Sequence, residues 1–121
     1  MELDDLRVYK ISMEIGAEIW KLARNWDDFS KNTIGKQLVR SADSVAANIS
    51  EGFGRYHYKD SRVFYYYARG SLFETRTWLR KANQRNLLSD EGLATLEHSL
   101  KDLGVKLNNY ITSIKVKTKS N

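Results

Sequence analysis

From Leu93 onward, Leu93, Leu96, Leu100, Leu103, Leu107, Tyr110 and Ile114 recur in strict alternation of three and four residues. Only an α-helix turns that spacing into one apolar seam, because a strand sends residues three apart to opposite faces. A helix with such a seam gains little stability alone and needs other helices to cover it. Nothing prevents the chain from forming them. It has no proline in 121 residues and only seven glycines, so long helices meet no obligatory break. The fold class these features impose is all-α.

Ser89 before Asp90 and Glu91 reads as the N-cap of this last helix, with two carboxylates at the positive end of its dipole. Three more helices are predicted upstream. The first spans Asp4 to Trp26 and carries two apolar stripes, Leu6, Tyr9, Met13, Gly16, Trp20, Ala23 and Val8, Ile11, Ile15, Ile19, Leu22, Trp26. At about 100° per residue the two stripes make an arc of roughly 220°, more than the ~100° stripe a surface helix needs. Such a helix calls for cover on two sides, by its own bundle and by a second subunit. A polar connection, Asp27 to Asn32, leads to a second helix capped by Asn32 or Thr33 and ending near Phe53, with Ile34, Leu38, Ala42, Val45, Ile49 and Phe53 inward. The third starts between Tyr58 and Ser61 and reaches Asn83. Its expected core stripe is Phe64, Tyr67/Ala68, Ser71/Leu72, Thr75, Trp78/Leu79 and Ala82. Helices of about 24 residues with short connections imply an antiparallel up-down-up-down four-helix bundle. It forms a single domain over residues 1–114, followed by a basic, frayed tail over 115–121.

With no cysteine, the chain has no disulfide, thiolate metal site or cysteine nucleophile, which suits a reducing cytoplasm. No apolar run approaches a membrane span, and the acidic start Met-Glu-Leu-Asp-Asp is wrong for a secretory signal. A cytoplasmic protein with no membrane contact is the expectation. The net charge of +5 is unevenly spread, −2 over residues 1–54 and +7 over 55–121. A basic half of that kind steers a protein toward polyanions.

Around the second helix, Arg40, Ser44, Ala47, Asn48, Glu51 and Arg55 form a polar stripe, flanked by small residues that let a neighbouring backbone come close. It reads either as a solvated face or as a packed assembly seam in which Arg40 and Arg55 pair with Glu51 or Glu74. Gly52-Phe53-Gly54 is expected to end the helix as a glycine C-cap, since no strand precedes it as a phosphate loop requires. One glutamate can be named on each helix, Glu14, Glu51, Glu74 and Glu97, but Glu14 and Glu51 lie off the core stripes and Glu97 and His98 point about 100° apart. No metal site, cofactor site or catalytic residue is expected, and two scattered histidines make no triad.

The third helix carries the binding signal. Arg55, Lys59, Arg62, Arg69, Arg76, Arg80 and Lys81 lie on or just before it, with Tyr56, His57, Tyr58, Tyr65 and Tyr66 interleaved. Arg62, Arg69, Arg76 and Arg80 share one face at near-heptad spacing and suit a phosphate backbone, while the rings suit base stacking. The same pattern also fits a solvated basic face with tyrosines packed between subunits.

Arg40-Ser41, Ser44-Val45, Asn48-Ile49 and Glu51-Gly52-Phe53-Gly54-Arg55, then Phe64, Ala68-Arg69-Gly70-Ser71-Leu72 and Glu74, resemble the bacterial four-helix-bundle proteins encoded by intervening sequences within 23S ribosomal RNA genes. The opening Asp5-Leu6-Arg7-Val8-Tyr9 is similar to that family's start. A related protein is the accessory protein of diversity-generating retroelements, which acts with a reverse transcriptase. The resemblance implies a left-twisted four-helix bundle assembled as a ring-like homopentamer, with a basic surface for nucleic acid and no catalytic positions. The chain departs from the family pattern in lacking a proline between the first two helices and in having Ala46-Ala47 where a proline is common. Two functions are therefore expected: an oligomer that binds RNA, DNA or a nucleic-acid-bound protein, or an oligomeric adaptor for another protein.

Overall fold

The computed structural model describes residues 1–120, with side chains through Lys115. Four long helices carry the fold, α1 (Arg7–Ala23), α2 (Lys36–Phe53), α3 (Tyr58–Gln84) and α4 (Asp90–Ser120), and there is no strand among the described residues. A 3-10 turn, Leu3–Asp5, precedes α1; a short turn, Asp28–Ser30, and a π-helical segment, Lys31–Gly35, lead into α2. The helices pack in a cycle, α1 on α2, α2 on α3, α3 on α4 and α4 on α1. The backbone of α4 continues past Ile114, where the leucine pattern stops. The expected frayed tail concerns side chains beyond Lys115 and residue 121, outside the described residues.

Two helix starts differ from expectation, each for a local reason. The first helix begins at Arg7, not Asp4, because Leu6 is extended (φ −78°, ψ 114°) and buries its side chain in the core. Before it, the Asp5 carboxylate accepts from the Glu2 backbone N–H at 2.9 Å. The stretch Asp27 to Asn32 is helical from Asp28, because Asp27 is itself an N-cap: its carboxylate accepts from the Ser30 N–H at 3.0 Å and the Ser30 hydroxyl at 2.8 Å. Those bonds hold the Asp27 carboxyl below its ordinary pKa. Ser89 caps α4 as expected, accepting from the Gly92 N–H at 3.0 Å.

The core contains Val8, Ile15, Ile19, Leu38, Val45, Ile49, Leu72 and Leu79, with Leu96, Leu100, Leu103 and Leu107 of the seam. Ile111 is buried where the heptad phase would favour Tyr110, because a straight helix drifts about 20° per heptad from a 3.5-residue repeat. The larger correction is on α3. Tyr65 is 2% exposed and belongs to the core, whereas of the expected Tyr67/Ala68 position Ala68 is buried and Tyr67 is 57% exposed. Two residues on a helix point about 200° apart, so burying one turns the other out.

The space for Tyr65 is made by Gly52. A Cβ added there would lie 2.7 Å from Tyr65 Cε1 and 2.9 Å from Cδ1. Gly52 is thus an interior packing residue of α2, and Gly54, the C-cap, sits at φ −77° in the right-handed region. The helix does end on a glycine C-cap as expected, but without a left-handed residue, since among the described residues no glycine has positive φ. The left-handed cap is instead Asn86 (φ 61°), which closes a Schellman motif after α3. Leu87 N–H donates to Ala82 O at 2.9 Å and Asn86 N–H to Asn83 O at 3.1 Å. Asn86→Ala is expected to cost about 1 kcal/mol, since a Cβ without the asparagine amide is disfavoured in that conformation. Urea unfolding measures it; a variant as stable as the parent would refute this account of the cap.

Candidate nucleic-acid interface

The inward stripe of α3, Ser61, Tyr65, Ala68, Leu72, Thr75, Leu79 and Ala82, determines what the helix shows outward. Because α2 covers one flank and α4 the other, Lys59, Val63, Tyr66, Arg69 and Phe73 are left exposed and Arg62 half-buried. Four arginines lie over rings, with the guanidinium carbon of Arg55 4.5 Å from the Phe64 centroid, Arg62 5.8 Å from Tyr58, Arg69 5.9 Å from Phe73 and Arg76 5.4 Å from Phe73. Each pair is within reach of a cation–π attraction, which holds the guanidinium near the helix surface. Phe73 is 51% exposed and Tyr66 49%, so both side chains reach solvent, with Phe73 shared by Arg69 and Arg76.

The arginine row is not electrostatically uniform. Glu97 of α4 receives Arg80 in a bidentate pair, with both contacts at 3.2 Å, and Arg76 at 3.4 and 3.5 Å. The Arg76 and Glu97 side chains are only 15% and 14% exposed. Burial pushes the Glu97 carboxyl up, but the hydrogen bonds and positive charge of Arg80 and Arg76 outweigh it and leave the carboxyl below its ordinary value of 4.5. Arg62 and Arg69 have no ion pair among the described residues. The four arginines therefore divide into an open pair and a clamped pair, which sequence spacing alone did not distinguish. The missed residue is Glu97. Its sequence signal was present, an acidic residue in the first turns of α4, but only the α3–α4 packing brings it under Arg76 and Arg80.

The remaining candidates are dispersed. Lys59 is exposed, Lys81 half-buried, and Arg55 pairs with Glu51 one turn back on α2. Of the proposed seam, Asn48 is half-buried, its amide donating to Ser44 O at 2.9 Å and Ser44 Oγ at 3.0 Å. Ser44 Oγ in turn accepts from Ser71 Oγ at 3.0 Å, and Ser41 Oγ from Thr75 at 3.0 Å, so hydroxyls stitch α2 to α3. Arg40 and Glu51 face outward, and Glu74 accepts from the Trp78 indole N–H at 2.9 Å; neither arginine pairs with Glu74 in the protomer. Among the described residues no three acidic, histidine or cysteine side chains gather into a possible metal site. No helix there is long and apolar enough to cross a membrane.

A small all-helical protein built on four long helices, with arginines and aromatic rings along the outer face of the third, is the class these features define. A family model described as the 23S rRNA-intervening sequence protein matches residues 4–109, and the chain belongs to that family. Comparison with curated proteins gives no match. Among solved structures, a protein of unknown function from the S23 ribosomal protein family of Bacteroides thetaiotaomicron has a TM-score of 0.77 and 22% identity. The alignment covers 86% of this chain and 97% of that one, and the likeness is one of fold.

Proposed function

We propose that this chain is a non-enzymatic, oligomeric helical bundle that binds RNA or DNA, bare or protein-bound, through the open half of the α3 face. The observation that carries the reading is the unclamped pair Arg62 and Arg69, one heptad apart, with Tyr66 and Phe73 exposed beside them. Cations one heptad apart, about 10 Å along the helix, suit phosphates of one backbone, and exposed aromatic side chains accept bases without regard to sequence. The geometry assumed is an antiparallel up-down-up-down bundle. It is supported by reversed pairings: Ser41 with Thr75 and Ser44 with Ser71, then Arg76 with Glu97 and Tyr65 with Tyr110.

The test is binding of a generic single-stranded RNA across a salt series. The parent should lose affinity steeply with salt, and Arg62→Ala/Arg69→Ala should flatten the log–log slope by about 1.4, at ~0.7 per lost phosphate contact. No binding at low salt overturns the proposal and favours the adaptor reading. Arg76 is not the residue to mutate here, because Glu97 already occupies it.

Self-association is the second half of the proposal, and α1 supports it. Of the stripe that begins at Leu6, Leu6 and Gly16 are buried, but Met13 is 51% exposed along a groove of about 590 Å³ against Ala46 and Ala47 of α2. Light scattering should give a multiple of the 14.0 kDa protomer, with five copies the number the family resemblance implies. Met13→Glu should lower that mass, and a monomeric parent would remove the need to cover α1 twice.

A further inference from the structure

The more acidic half of the chain contains a basic site. Residues 1–54 hold seven lysines and arginines. Four of them, Arg24, Lys31, Lys36 and Arg40, line one groove of about 370 Å³ between the end of α1 and the start of α2. Trp20 and Val39 contribute its apolar wall, and no carboxylate lines it. None of the four cations has an ion pair among the described residues. Four like charges around one recess repel one another, and an anion seated among them relieves that repulsion.

The π-helical segment brings three of them, Lys31, Lys36 and Arg40, to one side. In an unbroken α-helix Lys31 and Lys36, five residues apart, would point about 140° from each other. A π turn closes i to i+5 and turns such residues toward the same side, and Arg40 follows Lys36 by one α-helical turn. Gly35 within the segment is buried; a Cβ there would lie 3.2 Å from Ser30 O and 3.4 Å from the Trp26 ring. The wide turn is therefore built into the packing under the groove, and π turns concentrate at functional sites. From the other wall, Arg24 and Trp20, one turn apart on α1, face the same space. The indole is 55% exposed and offers a planar face.

We propose that this groove binds a nucleotide, its phosphate held among Arg24, Lys31, Lys36 and Arg40 and its base stacked on Trp20. The volume falls within the ~300–1,000 Å³ of small-molecule pockets. The ligand is a phosphorylated planar heterocycle, supplied either as a free mononucleotide or as the 5′ end of a strand. The site lies on a different pair of helices from the α3 face and stands or falls without it, whereas Trp20 also borders the α1 groove proposed for self-association, so the base must stack on the part of the indole that faces Arg24 and Arg40.

The test is calorimetric titration of the full chain with adenosine 5′-monophosphate, adenosine, inorganic phosphate, and a pentanucleotide with and without a 5′-phosphate. The monophosphate should bind at least about tenfold more tightly than adenosine or phosphate alone, since it engages both the cations and the indole. Lys36→Ala/Arg40→Ala should lose it at unchanged helical circular dichroism, as should Lys31→Ala in part. Trp20→Phe should retain binding that Trp20→Ala loses. A phosphorylated pentanucleotide tighter than the mononucleotide assigns the groove to a strand end, and the reverse order assigns it to the free nucleotide. No binding of either, phosphate binding as tight as the mononucleotide, or affinity unchanged in the double variant overturns the proposal. Arg62→Ala/Arg69→Ala should leave mononucleotide affinity intact, which separates this site from the α3 face.

Discussion

Gly52→Val will destabilise the protein by about 3 kcal/mol, although glycine inside a helix is ordinarily the weaker choice. The Cβ of any other residue at Gly52 meets three ring atoms of Tyr65 within 3.0 Å. That ring cannot swing away. It is buried at the core and packs edge-on against Tyr110, centroids 5.4 Å apart. Its surroundings, burial first and Tyr110 second, also push the Tyr65 hydroxyl upward and keep it neutral. Overpacking of this kind costs about 1–3 kcal/mol, and a β-branched side chain adds bulk at the tightest point. Gly52→Ala sets a cleaner sign test. The helix gains about 1 kcal/mol from losing a glycine, so only a clash can make alanine unfavourable. Gly70 is the control: it lies in α3 with nothing within 4 Å of its Cβ position, and Gly70→Ala should stabilise by about 0.5–1 kcal/mol. Urea unfolding of the three variants is decisive, and a stable Gly52→Val would mean that Tyr65 does not need the space.

Glu97→Gln should make the protein less stable and a tighter nucleic-acid binder. The carboxylate sits between Arg76 and Arg80 and is mostly buried, so losing its charge leaves Arg76 partly buried and less compensated. A cost of about 1–2 kcal/mol is expected, between exposed and fully buried pairs. The same change releases two guanidiniums to the row begun by Arg62 and Arg69. The salt dependence of single-stranded RNA binding should then steepen by up to about 1.4. Affinity should rise several-fold at low salt; an unchanged slope would show that the row does not extend to Arg76 and Arg80. Acid provides a second readout. Because the folded Glu97 carboxyl lies below its ordinary value of 4.5, its stabilising contribution is present above that pH and is lost as pH falls through the lowered value. Glu97→Gln should flatten this limb of the stability profile.

Much of the fold was legible because it is written in local patterns. The leucine ladder from Leu93, the Ser89 cap and the span of α3 each follow from residues within a turn or two of one another. Legibility failed where a distant neighbour settled the matter. Tyr65 and Tyr67 have similar side chains and sit in one aromatic run, so periodicity places Ala68 inward correctly but does not pick Tyr65 over Tyr67. The turn Asp28–Ser30 is a local exception: its cap, Asp27, bonds Ser30 three residues on, but the acidic and polar stretch around it resembles a connection. The candidate interface was half visible: the arginines at heptad spacing could be counted, but their division by Glu97 could not.

By itself the sequence determined that the chain is helical, how many long helices it makes and which faces are apolar, since hydrophobic spacing and the absence of proline act within each segment. The tertiary structure alone decided which charges are free. Across the α3–α4 contact Glu97 pairs with two arginines of the basic half, while the π turn before α2 sets Lys31, Lys36 and Arg40 opposite Arg24 in the acidic half. Charge is a sum along a chain, but potential is a sum over distance, and only folding sets the distances.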